Sequence, residues 1–136
     1  MGIRKSPLFI FAIVTWLFLG IAAAQTNAFK DIAPKEASEL IKKNSGNPNF
    51  VIMDVRTPEE YREGYIENSV NINYLGKTFR NEVLKLDRTK IYLLYCRSGR
   101  RSKEVQDIMK GLGFKEVYNM PGGILEWQAE GLKVKK

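Results

Sequence analysis

The sequence predicts a three-layer α/β domain, a central and mostly parallel sheet covered by helices on both faces. Three observations lead there. The runs Phe50–Val55 (FVIMDV) and Ile91–Cys96 (IYLLYC) are apolar almost throughout, and strands of that kind are buried on both faces, as parallel strands are. Stretches with apolar residues at helical spacing separate the short apolar runs, which supplies each crossover with its helix. No internal repeat and no low-complexity tract interrupts residues 29–136, which read as one domain.

Each element has a local reason. Pro34 suits a first helical position, and Ala37, Leu40 and Ile41 then fall on one face. Asn44-Ser45-Gly46-Asn47-Pro48 is a loop by composition. The strand Phe50–Val55 carries Asp54 near its end. Thr57-Pro58-Glu59-Glu60 has the form of a capping box with proline at the first helical position, and Gly64 is placed to end that short helix. Val70 and Ile72 alternate with Asn71 and Asn73, a strand pattern. Phe79, Val83 and Leu86 keep helical spacing, and Asp87-Arg88-Thr89-Lys90 is a polar turn. After the strand Ile91–Cys96, a helix starting near Arg101 places Val105, Ile108, Met109 and Leu112 on one face, with Gly113 as its stop. Val117–Met120 reads as a further strand, Pro121-Gly122-Gly123 as a turn, and Ile124–Glu130 as a last helix ending at Gly131.

Residues 1–24 differ from the rest. Arg4 and Lys5 precede an uncharged run, Leu8–Gly20, and small residues follow at Ala22-Ala23-Ala24. A basic start, an apolar stretch and an A-x-A end make a secretory signal peptide. Cleavage is expected after Ala24, with Ala28 the weaker option; an uncleaved membrane anchor is the alternative, and the only route to membrane contact.

Composition excludes several chemistries. The 136 residues hold no His and one Cys. A Ser-His-Asp triad, a Cys-His pair, a C-x-x-C redox pair and a cysteine zinc cluster are therefore all absent, and no metal or cofactor is expected. The formal net charge of +7 invites an anionic partner. No basic run of five residues and no nucleic-acid-binding motif occurs, so a solvated basic surface is preferred to a nucleic-acid partner.

The one thiol stands where ligands bind in α/β sheets, beyond the carboxyl end of a strand. Cys96 is followed by Arg97-Ser98-Gly99-Arg100, which leads into a helix. A helix start presents unpaired amides and a partial positive charge. Gly99 permits a tight curl of the backbone. Arg97, Arg100 and Arg101 add positive charge. A thiol there loses its proton more readily than a free cysteine, and the same cradle attracts an anion. The bland alternative is a small buried side chain at a strand end, which three arginines within five positions argue against.

Together these residues resemble the rhodanese family of sulfurtransferases. Cys96-Arg97-Ser98-Gly99-Arg100-Arg101 matches the active loop C-x-x-G-x-R; Asp54-Val55-Arg56 with Glu60-Tyr61 resembles D-x-R-x-x-x-E-[FY]; and Gly122-Gly123-Ile124-Leu125-Glu126-Trp127 resembles the closing G-G-x-x-x-W. Gly64-Tyr65-Ile66 falls where the family has G-H-I-P-G-A, and Glu67-Asn68-Ser69 departs from it. The resemblance spans about Phe29 to Leu132. It implies a rhodanese-like three-layer fold and a thiosulfate sulfurtransferase, similar to small exported bacterial enzymes, with the periplasm as its expected location. By the family's mechanism, Cys96 takes the outer sulfur of thiosulfate as a persulfide and passes it to cyanide or a thiol. Substrate binding falls to Arg97, Ser98, Gly99, Arg100 and Arg101, with Arg101 orienting the loop. With one Cys, the acceptor comes from outside, as a small molecule or a protein.

Supporting roles remain open at this stage. Asp54 either pairs with an active-loop arginine or caps the turn that follows its strand. Arg56 and Glu60, four apart, are expected to form an ion pair. Tyr61 and Trp127 are expected in the core. Two rival functions stand beside the first: a phosphatase or arsenate reductase of the C-x5-R type, which needs Arg where this chain has Ser102, and a non-enzymatic persulfide carrier.

Overall fold

The computed structural model describes residues 27–136 and Gly2; the expected signal segment lies outside the described residues. Five strands, β1 (Ala28–Asp31), β2 (Phe50–Asp54), β3 (Val70–Asn71), β4 (Ile91–Tyr95) and β5 (Glu116–Asn119), form one sheet in the order β1-β5-β4-β2-β3. Every pairing in it is parallel. Five helices connect or follow the strands: α1 (Pro34–Lys43), α2 (Pro58–Glu63), α3 (Phe79–Leu84), α4 (Arg100–Gly111) and α5 (Gly123–Ala129).

Strand alternation sorts the apolar side chains into two cores. Tyr92 and Leu94 of β4, with Met53 of β2, pack against Phe79 and Val83 of α3 and Val105 and Met109 of α4. Leu93 and Tyr95 point the other way, joining Ile52, Ala37 of α1, and Ile124 and Trp127 of α5. Both faces of β4 are thus sealed, which is why its sequence is apolar without alternation. Each fully buried side chain of this size contributes about 1.5–3 kcal/mol by leaving water.

Sequence and structure differ at the edges. The strand β1 was not foreseen. Its four residues are half-buried or exposed, too few and too mixed for a period-2 signal, and it is held by pairing with β5 from Ala28↔Glu116 to Asp31↔Asn119. Helix α4 starts at Arg100, and β5 covers Glu116–Asn119, each one position earlier than expected.

Two local features position the site. Thr57 caps α2 as the motif predicts: its Oγ1 accepts from the Glu60 amide at 3.3 Å, and the Glu60 carboxylate accepts from the Thr57 amide at 3.0 Å. The segment that departs from the family pattern is held by aromatic groups. The Tyr61 and Tyr65 rings stack at 4.4 Å, and the Tyr61 hydroxyl donates to the Ser69 carbonyl at 2.7 Å. The Tyr95 hydroxyl accepts from the Ile66 amide at 3.0 Å and meets the Ser69 hydroxyl at 3.1 Å. Tyr61 is therefore a half-buried brace, whereas Trp127 lies in the core as expected. The C-terminal tail closes over this segment, with Tyr65 and Lys135 exchanging backbone bonds of 3.0 and 2.8 Å.

Candidate active site

Parallel strands all end on one rim of the sheet, so Asp54 at the end of β2 and Cys96 just after β4 arrive together. The loop Arg97–Gly99 then turns into α4, a helix of 12 residues whose first amides face the loop. Cys96 itself is 1% exposed. Its Sγ accepts a hydrogen bond from the Gly99 amide at 3.0 Å and one from the Ser102 hydroxyl at 3.5 Å. The Ser102 hydroxyl also reaches the Gly99 carbonyl at 3.1 Å, so its single proton has two acceptors in range. Burial pushes the Cys96 thiol up. Bonds from the Ser102 hydroxyl and from the amides of Ser102, Gly99 and Ser98 outweigh that effect and hold it below the ordinary thiol range.

The curl of the loop depends on glycine and on a second backbone. Gly99 has φ 101°, a left-handed conformation that side chains oppose. A Cβ there would also overlap the Pro121 carbonyl. The first turn of α5 grips the loop from that side: the Ile124 amide donates to the Cys96 carbonyl at 2.9 Å, and the Leu125 amide to the Arg97 carbonyl at 3.3 Å.

The three arginines divide. Arg97 and Arg100 are exposed on the chain that follows the thiol. Arg101 turns back, its guanidinium clasping the Glu60 carboxylate through bonds of 2.8 and 2.8 Å. That bond with Arg101 is the largest of the effects that hold the Glu60 carboxyl at about 2. Ser98 is exposed and contributes its amide to the thiol.

One sequence expectation needs correction, and one open alternative resolves. Arg56 does not pair with Glu60. Its guanidinium binds Asp54 at 2.6–3.0 Å and the Gly64 carbonyl at 2.6 Å, in a site where both charged side chains are buried. Asp54 in turn does not reach an active-loop arginine. It accepts from the Arg56 amide at 2.9 Å, which is the turn-capping alternative. Asp54 is fully buried two residues from Arg56, so the nearest guanidinium neutralises it.

The match of a family model decides the kinship: the rhodanese-like domain fits residues 34–130. The chain belongs to the rhodanese-like domain family. This rhodanese-like domain is 37% identical over 101 residues to a thiosulfate sulfurtransferase GlpE of Coxiella burnetii, covering 74% of this chain and 89% of that protein. A tRNA uridine(34) hydroxylase of Photorhabdus laumondii is 31% identical over 108 residues, but there the match covers only 30% of the relative against 72% of this chain. Among solved structures, a rhodanese-like domain protein from Staphylococcus aureus superposes with a TM-score of 0.64 at 32% identity, over 79% of this chain and 99% of that one. The central parallel sheet with its helices is the fold these neighbours share.

Sequence reasoning overlooked two residues of the rhodanese-like site. Ser102 had been weighed only as the position where a longer loop needs arginine, yet it is fully buried against the thiol. Glu60, which the motif places in a capping box and helix spacing pairs with Arg56, closes the cap and anchors Arg101 instead. Nothing in local spacing links positions 60 and 101.

Proposed function

We propose that this domain is a thiosulfate:thiophile sulfurtransferase working through a persulfide on Cys96. The observation that carries the reading is the Gly99 amide 3.0 Å from Sγ, reinforced by the Ser102 hydroxyl. These donors favour the thiolate and need no histidine. The Cys96 thiolate attacks the outer sulfur of thiosulfate. The new S–S bond forms as the old one breaks, and its electron pair leaves with sulfite. A persulfide anion remains where the amides already point. Arg97 and Arg100 draw the dianion in, while Arg101, held by Glu60, keeps the loop in shape. An outside thiol or cyanide then takes the sulfur and returns the Cys96 thiolate. Sulfurtransferase relatives support the class of chemistry. The apolar segment at Leu8–Gly20 supports an exported location.

Intact mass spectrometry after thiosulfate treatment tests the reading. Wild-type protein should gain one sulfur atom and lose it on addition of cyanide. Cys96→Ser should gain none and retain less than about 1% of turnover, because losing a covalent nucleophile costs several orders of magnitude. A Ser variant that turned over at a higher level would overturn the mechanism.

A further inference from the structure

In a parallel sheet every strand starts on one rim and ends on the other, and each crossover helix runs back to the starting rim. Cys96 stands on the ending rim. On the starting rim Phe50, Ile91, Glu116 and Ala28 are level, each paired with the next. The chain reaches this rim at positions far apart in sequence, and it repeatedly brings a cation there. Lys42 and Lys43 finish α1, Lys85 follows α3, and Lys110 lies in the last turn of α4. Arg88 leads towards β4 and Lys115 into β5. All six are exposed, and none has an ion-pair partner among the described residues. The acids of this rim are fewer and engaged. Asp87 accepts from the Thr89 amide and hydroxyl at 2.9 and 2.6 Å, Glu116 from the Tyr118 hydroxyl at 2.6 Å, and Glu82 from the Thr78 hydroxyl at 3.0 Å. Cations in the last turn of a helix serve its dipole, which accounts for Lys42, Lys43 and Lys110. Arg88 and Lys115 stand beyond those turns, at strand entries, where that account does not reach.

Two further observations bear on what meets this charge. Leu84, in the last turn of α3, is 40% exposed, and Ile108, in the last turn of α4, is 37% exposed, so aliphatic surface borders the cations. That pairing suits the boundary between lipid headgroups and acyl chains, whereas single-stranded nucleic acid is held on aromatic stacking platforms. The chain also enters the fold here. The Ala28 amide donates to the Lys115 carbonyl at 2.9 Å, and the Lys115 amide to the Arg88 carbonyl at 3.2 Å. The uncharged run Leu8–Gly20 ends eight positions before Ala28, a reach of at most about 28 Å. A strongly apolar segment is thus joined to the protein at its basic edge. We propose that this rim is a docking face for an anionic lipid bilayer. Headgroup phosphates meet the six cations, Leu84 and Ile108 rest at the headgroup boundary, and the Cys96 loop, about 17 Å away along β4, faces open solvent. In the sequence, membrane contact fell to residues 1–24 alone. The cations escape a linear reading because they form no run, being spread from position 42 to position 115. The inference stands apart from the persulfide reading and holds whatever reaction Cys96 performs.

Lysine footprinting tests it on the full chain. Acetylation by an amine-reactive ester is mapped by peptide mass in buffer, with neutral phosphatidylcholine vesicles, and with vesicles about one-third phosphatidylglycerol. The anionic vesicles should slow acetylation of Lys42, Lys43, Lys85, Lys110 and Lys115 by about threefold or more. They should leave Lys35 and Lys103, in the first turns of α1 and α4, unchanged. Neutral vesicles should not single out the rim, which separates its charge from any partitioning of Leu8–Gly20. Salt at about 1 M should abolish the protection, since it screens charges beyond about 3 Å. The lipid needed for half-protection should rise about thirtyfold in Arg88→Gln/Lys115→Gln, at about fivefold per cation. It should rise by less than about threefold in Lys35→Gln/Arg62→Gln, whose cations lie away from the rim. Alkylation of Cys96 by iodoacetamide should proceed at the same rate with and without vesicles. The proposal is overturned if anionic vesicles protect no lysine or all alike, if neutral vesicles protect the rim equally, or if vesicles slow the alkylation. Stronger protection by duplex DNA than by anionic vesicles would assign the rim to nucleic acid instead.

Discussion

Arg101 and Glu60, 41 positions apart in the chain, are joined by two hydrogen bonds of 2.8 Å each. The first residues of α4 are thereby fastened to the first turn of α2, because Glu60 also closes the Thr57 cap. One carboxylate thus sets the entry of one helix and the active loop that leads into the other.

That link makes stability depend on pH in a defined window. The Glu60 carboxyl sits at about 2 in the fold against an ordinary value of 4.5. A carboxyl with a depressed value in the fold stabilises it above the unfolded value, and the contribution drains away as pH falls toward the folded one. Glu60→Gln keeps an acceptor for the cap and removes the charge. In urea titrations, the gap between wild type and Glu60→Gln should be full above about pH 5 and shrink steadily as pH falls to about 3. A gap that stays constant over that range would contradict the assignment.

Arg97 and Arg100 are expected to govern capture of the anion. Replacing either with Ser should raise KM for thiosulfate and leave kcat within about threefold, because exposed charges steer more than they orient. It should also flatten the fall of kcat/KM with added salt, since such charges are screened over about 8 Å at physiological ionic strength. Arg101→Ser should act differently. It releases Glu60 and loosens the loop, so kcat falls. Steady-state kinetics at several salt concentrations separate the two behaviours.

Ser102 is expected to set the acidity of the thiol. Its hydroxyl is the foremost of the groups that lower the Cys96 pKa against the opposing effect of burial. Ser102→Ala removes that donor, so the thiolate should form only at higher pH. Alkylation by iodoacetamide, followed against pH, should show its rise displaced upward. The variant should react more slowly than wild type at low pH and match it where both are fully ionised.

Gly99 and Gly113 both have left-handed φ values, 101° and 86°, and they differ in surroundings. A Cβ at Gly99 meets the Pro121 carbonyl, whereas one at Gly113 meets nothing within 4 Å. Gly113→Ala should cost about 1–2 kcal/mol, the backbone penalty alone. Gly99→Ala should cost at least about 2 kcal/mol more and should slow persulfide formation. Urea unfolding and sulfur loading measure the two effects.

Much of this architecture was legible in the sequence because its signals are local. The apolar runs of β2 and β4, the Thr57 cap and the Pro34 helix start each lie within a few residues, and each appears where expected. The thiol, its glycine and its arginines form one contiguous loop, so their neighbourhood was legible too. The partners of charges were not. Arg56 had an acid two residues before it and another four residues after it, and helix spacing favoured Glu60. But Arg56 precedes α2, and the buried Asp54 carboxylate needs a counter-charge more than the half-exposed Glu60 does. The edge strand β1 was missed for a related reason: its hydrogen bonds go to β5, almost ninety positions on.

The grip of the Pro121–Leu125 segment on the active loop bears on when the thiol becomes reactive. Ribosomes deliver Cys96 almost thirty residues before the amides of Ile124 and Leu125 that hold its loop. Until those residues arrive and dock, Gly99 has no Pro121 carbonyl to nestle against and the loop has no fixed curl. The nascent chain therefore carries an ordinary thiol, mostly protonated at neutral pH. Its chemistry ripens only with the final quarter of the polypeptide, so an unfinished or unfolded chain passes through the cell with its one nucleophile still dormant.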